Sequence, residues 1–184
     1  MEKLRMLLGN ALAGFLDLSM GAALAAVTLS AFGMRPELWH LAIGAALAVL
    51  PDFDILLPIL RMREVTGNHH TTLMHRPLAV IPAAALAAFL LGGPAWGLTA
   101  FLCILWHFAH DTPPLGMNGI AWLWPFDERY WSPHGAAEPR TPSMPHYEWL
   151  KKYWLRPSPL LFMEIGAGLM ALALALLIAS RAIL

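Results

Sequence analysis

From Pro159 to Ala179 the chain runs PLLFMEIGAGLMALALALLIA, an apolar stretch interrupted by one charge, Glu164. A helix of that length can cross the ~30 Å hydrocarbon core of a bilayer. Ser158 and Pro159 supply its N-cap and first helical position. Four other apolar segments come earlier: Met6 to Phe32, Leu38 to Leu50, Leu78 to Leu91 and Ala95 to Phe108. The second, third and fourth segments would each span only about 20 Å as helices, so flanking residues must complete any crossing. With 58% hydrophobic and 13% charged residues and a mean hydropathy of +0.57, the chain lies outside the balance of a soluble domain. The expectation is an all-α integral membrane protein, one domain over residues 1–184, with about five transmembrane helices.

The N-terminus, MEKLRMLLGNALAGF, starts like a signal peptide, but Asp17 interrupts the apolar region and the segment is kept as mature chain. A formal net charge of zero leaves no basic footprint for nucleic acid. The lone cysteine, Cys103, excludes an intrachain disulfide. With five spans and a cytoplasmic N-terminus, ten of the twelve Lys and Arg fall on the cytoplasmic side: Lys3, Arg5, Arg61, Arg63, Arg76, Arg129, Arg140, Lys151, Lys152 and Arg156. Only Arg35 and Arg181 fall outside, and the positive-inside rule favours this orientation. The same choice gathers Asp52, Asp54, His69, His70, His75, His107, His110 and Asp111 at one membrane face, although none of them was used to make it.

The long polar segment from Thr112 to Ser158 holds five of the eight tryptophans, Trp122, Trp124, Trp131, Trp149 and Trp154. That is too aromatic for a disordered linker and fits a Pro-rich cytoplasmic cap over the headgroup region. Within it, HYEWLKKYWL (146–155) is either an interfacial helix or a surface helix packed on the domain.

Three clusters carry ligand chemistry. In LPDFDILLP, Pro51 stops a helix, and Asp52 and Asp54 share a side if the backbone is extended. Either they hold a cation, or Asp52 caps a helix and Asp54 is solvated. GNHHTTLMHRP places His70 and His75 in a short turn where imidazoles can converge on a transition metal. There Arg76 is a topological anchor or a phosphate-binding group. In LWHFAHDTPPLG, His107 and Asp111 are one helical turn apart and can chelate one ion, or pair as ion and counter-ion. His110 lies between them as a proton-transfer partner or a structural hydrogen bonder.

PDFD, then His70-x-x-x-x-His75, then His107-x-x-x-Asp111 followed by TPPLGMNGIAWLWPF resembles the membrane-bound metal-dependent hydrolase family of the LexA-regulated inner-membrane type, over residues 17–126. A more distant similarity is to the zinc-dependent phospholipase C superfamily. The resemblance implies metal ligation by Asp52 or Asp54, His70, His75, His107 and Asp111, with zinc as the divalent ion, singly or in a cluster. Asp17 stands where the family usually has a histidine, and an aspartate can ligate too. HTTLMH replaces the usual H-R-G-x-T-H. The expected function is hydrolysis of a phosphoester in a phospholipid or lipid-linked substrate, at the cytoplasmic face of the inner membrane, with His110 and Arg76 as catalytic groups. Acidic groups within spans, Asp17 and Glu164 here, are functional candidates. The alternatives are a metal-ion transporter or metal-binding membrane protein without hydrolase activity, and an adaptor binding a partner through residues 112–158.

Overall fold

In a computed structural model of the chain, residues 2–55, 69–112, 119–133, 135–137 and 146–181 are described. Arg61, Arg63 and Arg140, on which part of the charge asymmetry rests, and residues 113–118 of the TPPLGMNG stretch lie outside them. The fold is helical, with one short hairpin: α1 (Glu2–Ala13), α2 (Phe15–Ala31), α3 (Leu38–Ala48), α4 (Pro77–Gly92), α5 (Pro94–Asp111), β1 (Tyr130–Ser132), β2 (Gly135–Ala137), α6 (His146–Tyr153) and α7 (Pro159–Arg181). Single turns of 3-10 helix occupy Leu50–Asp52, His69–Thr71 and Leu73–His75.

The expected boundaries of the four later apolar helices hold to within a few residues, and the start signal expected for the last of them acts as anticipated. Ser158 Oγ accepts the Leu161 N–H at 3.1 Å, ahead of Pro159. Pro77 and Pro94 open α4 and α5, where a missing N–H costs nothing. Gly93, at φ 81°, makes the reversal between those two helices. The first segment departs from expectation. Instead of one continuous helix it forms α1 and α2, which meet at Gly14 with a bend of 43°. Bending lets α1 pack on α6, where Met6, Leu12 and Ala13 lie against Leu150, Trp154 and Leu161. Gly9 accommodates the Leu150 side chain, which would stand 3.2 Å from any added Cβ. Thus α6 buries its apolar face on the protein and leaves Lys151 and Lys152 at its end.

At 23 residues, α7 alone among the described helices is long and apolar enough to cross a membrane unaided, and the bent α1–α2 pair also qualifies if taken as one span. The helices α3 and α4 are apolar but shorter. Helix α2 is central, packing on α7, α3 and α5, while α5 also packs on α4. Small residues set the closest approach: a Cβ on Gly21 would collide with the Gly44 carbonyl, and one on Gly44 with Ala25 and the Gly21 carbonyl. Contacts this close are how helices pair when lipid and side chains are equally apolar. The outward faces stay apolar, with Leu86, Leu90 and Leu91 of α4 and Phe162, Met163 and Met170 of α7 exposed.

Because the hairpins α2–α3 and α4–α5 reverse at residues 32–37 and at Gly93, the start of α2, the end of α3, the start of α4 and the end of α5 all lie at one end of the bundle. Asp17, Asp52, His75, His107 and Asp111 are carried there. The other end holds Trp39 stacked on Trp96, with ring centroids 6.1 Å apart, and a capping box in which Glu37 N–H donates to His40 Nδ1 at 2.8 Å.

Candidate metal centre

Four side chains converge at the polar end: Asp52 from the turn after α3, His75 from the turn before α4, and His107 and Asp111 from the last turn of α5. One ligand atom from each lies within 4.8 Å of the other three. Asp52 Oδ1 is 3.4 Å from His75 Nε2 and 3.7 Å from His107 Nε2. Asp111 Oδ2 is 3.2 Å from His107 Nε2 and 3.8 Å from His75 Nε2. Ligands about 2.0–2.1 Å from a tetrahedral zinc ion stand roughly 3.3 Å from one another, so these separations suit a divalent ion of that class. Both histidines are fully buried, whereas the Asp52 and Asp111 side chains are 30% and 21% exposed. The imidazoles form a floor and the carboxylates a mouth.

His107 provides a further test of fit. Neither ring nitrogen makes a well-aligned hydrogen bond among the described residues, although the ring is completely buried. Buried polar groups rarely tolerate that, and a ligand role for Nε2 accounts for it.

His70 lies alongside, its ring stacked on His75 at 5.0 Å. Its Nδ1 is 3.1 Å from the Gly119 carbonyl oxygen. A carbonyl can only accept, so the hydrogen is on Nδ1. Burial pushes the pKa of His70 down, against the raising influence of Asp111, and the neutral ring then turns an unprotonated Nε2 toward Asp111 Oδ2, 3.6 Å away. A lone pair facing a carboxylate oxygen is eased by a cation between them, which suits His70 as a further donor. His75 is shifted the other way: burial alone would lower its pKa, but the facing carboxylates of Asp52 and Asp54 and the charge of Asp111 raise it.

The two remaining carboxylates expected as ligands stand behind the histidines. Asp54 Oδ2 is 3.6 Å from His75 Nδ1 and accepts the Thr72 hydroxyl. Asp17 Oδ2 is 3.7 Å from His107 Nδ1, while its Oδ1 accepts from Trp106 Nε1 at 2.8 Å. His110 points away from the four-residue group: its Nδ1 is 3.0 Å from Asp17 Oδ1 and its Nε2 is 3.2 Å from Glu164 Oε1. Arg76 lies with its guanidinium 5.7 Å from the Trp124 ring centre and 5.4 Å from that of Tyr130. Its Nη2 donates to the Thr71 carbonyl at 3.1 Å, and its buried Nη1 has no hydrogen-bond partner among the described residues.

The cap is fastened to this end of the bundle. Trp122 Nε1 donates to Thr112 Oγ1 at 2.9 Å, Ile120 pairs with Trp131, and Ile120 packs with Ile81, Ile104 and Phe108. Gly119, Thr72 and Trp106 escaped the sequence reading. No local pattern marks them, since each acts through a partner distant in the chain.

No curated protein and no solved structure matches the chain. A family model described as the YdjM inner membrane protein matches residues 14–183, so the chain belongs to that family of inner membrane proteins.

Proposed function

We propose that the protein is a multi-pass, metal-dependent hydrolase acting on phosphoesters of lipids or lipid-linked molecules at the cytoplasmic face of the inner membrane. The observation that carries this reading is the convergence of Asp52, His75, His107 and Asp111 from three separate segments. Those residues would hold the ion, with His70 in reach as a further donor. A zinc-class ion held there supplies Lewis acidity toward a phosphoryl oxygen and acidifies water.

The protein's own groups do the rest. Buried His75 and His107 keep one side of the centre dry, and the half-open Asp52 and Asp111 define the side from which substrate and water arrive. Arg76, next to His75 in the chain, lies with its guanidinium near the Trp124 and Tyr130 rings and would supply positive charge toward an anionic phosphoryl group. The apolar outer faces of α4 and α7 and the Trp39–Trp96 pair at the far end support a bundle lying across the bilayer, and in such a bundle the centre would lie at headgroup depth.

Detergent-purified protein is expected to contain stoichiometric divalent metal that His107→Ala and Asp111→Ala remove, and to show chelator-sensitive phosphoester hydrolysis. Metal content unchanged by those substitutions would overturn the reading. Ion flux in proteoliposomes that depends on Asp52 and His107 would replace it with transport. The far end argues against transport, since its Glu37 and His40 are engaged in capping α3.

A further inference from the structure

An imidazole can bind an ion through one nitrogen only when the other carries the hydrogen, and a metal-binding histidine usually gives that N–H to a carboxylate or carbonyl. His75 and His107 both turn Nε2 toward the Asp52 and Asp111 carboxylates, and both turn Nδ1 toward a second carboxylate: Asp54 at 3.6 Å and Asp17 at 3.7 Å. Resting on the metal-centre reading, we propose that Asp54 and Asp17 are positioning residues that hold His75 and His107 with Nε2 free to ligate, and that His110 and Glu164 extend the Asp17 arm to α7.

The separations of 3.6 and 3.7 Å are too long for formed hydrogen bonds, and closing to about 2.9 Å needs a shift of less than 1 Å as the ion fixes the rings. Each carboxylate is already held from its other side. Asp17, 3% exposed, takes the Trp106 N–H and faces His110, and Asp54 takes the Thr72 hydroxyl. A buried carboxylate with acceptor capacity only can draw no hydrogen from His107 except the one on Nδ1.

The group Asp17, His110 and Glu164 is not a second ion site. Asp17 faces Nδ1 of the His110 ring and Glu164 faces Nε2, so no single ion can be bound by all three. With a carboxylate facing each nitrogen, His110 is turned away from the four-residue group. Its place is that of a strut joining α2, α5 and α7.

The test is affinity for Zn²⁺ alone, measured on the full chain in detergent by competition with a chromogenic chelator, together with the visible absorption of the Co²⁺-loaded protein. Asp17→Asn and Asp54→Asn are expected to weaken Zn²⁺ binding about 10- to 100-fold and to alter the Co²⁺ spectrum, while Glu164→Gln weakens binding less. Asp17 and Asp54 are not positioning residues if both variants bind Zn²⁺ like the wild type with unchanged spectra. Complete loss of binding in Asp17→Asn, matching His107→Ala, would make Asp17 a ligand and also overturn the proposal. Should Asp17→Asn fail to give monodisperse protein, Asp54→Asn and Glu164→Gln decide it. A wild-type protein that binds neither Zn²⁺ nor Co²⁺ shows instead that the metal centre itself is wrong, and the proposal falls with it.

Discussion

Gly119 governs His70 from the cap. At φ 77° it adopts a backbone conformation that L side chains avoid, and a Cβ there would collide with the Trp131 carbonyl. Its own carbonyl oxygen meanwhile fixes the hydrogen on His70 Nδ1. Gly119→Ala should therefore cost about 2 kcal/mol or more of stability and also reduce metal content, because the carbonyl moves with the strained residue. Thermal melting and elemental analysis of the same preparation check both effects; a wild-type melting temperature would contradict the geometry. At this scale the sequence singled out His107 and Asp111, whose one-turn spacing fixes a shared helix face, and it offered Asp52 or Asp54 as the accompanying aspartate. It could not reveal Gly119, and it marked Glu164 as an acidic group within a span without indicating its partner His110, because neither has a local pattern tying it to a partner across the fold.

Between elements, the α2–α3 contact sets the site at a distance. Gly21 and Gly44 allow the two backbones to touch, which places Asp17 and Asp52 at the same end. Gly21→Val or Gly44→Val should abolish Zn²⁺ binding without altering a ligand, whereas Gly166→Ala, with open space around it, should bind normally. Equal Zn²⁺ binding in all three would mean that the close packing is dispensable to the site.

The α1–α6 contact predicts a pH response. His146 faces Asn10 Oδ1 at 2.9 Å, and burial lowers its pKa from the ordinary 6.5 despite the charge of Asp52. A folded pKa below the unfolded one means that this contact's contribution is fully present above about pH 6.5 and is lost as the pH falls from there through the lower folded value. Hydrogen exchange in α6 should accelerate between pH 7 and pH 5, and His146→Gln should flatten that change. The break at Gly14 that creates this contact was not legible, since the apolar run from Met6 to Phe32 continues through it and only the docking of α6 distinguishes one side from the other.

For the whole molecule, the order of the apolar segments implied helices that alternate in direction, and the expected clustering of His and Asp at one end followed from it. What crosses the membrane is testable because Cys103 is fully buried and gives a silent background for thiol labelling. In intact cells a membrane-impermeant maleimide should label Met34→Cys at the far turn, and should label Leu123→Cys in the cap only after permeabilisation. The reverse pattern would invert the orientation, and equal labelling of both in intact cells would contradict a bundle that spans the bilayer.

The four-residue group draws Asp52 from the end of the α2–α3 hairpin and His75, His107 and Asp111 from around the α4–α5 hairpin. A ribosome delivers these two hairpins in succession, and neither alone has a complete set of donors. Ion capture would then come late in biogenesis, acting as a clasp that closes only after both halves have been inserted and have found each other. Two fragments divided between the hairpins and synthesised together would be expected to reunite more firmly when zinc is abundant than when it is scarce.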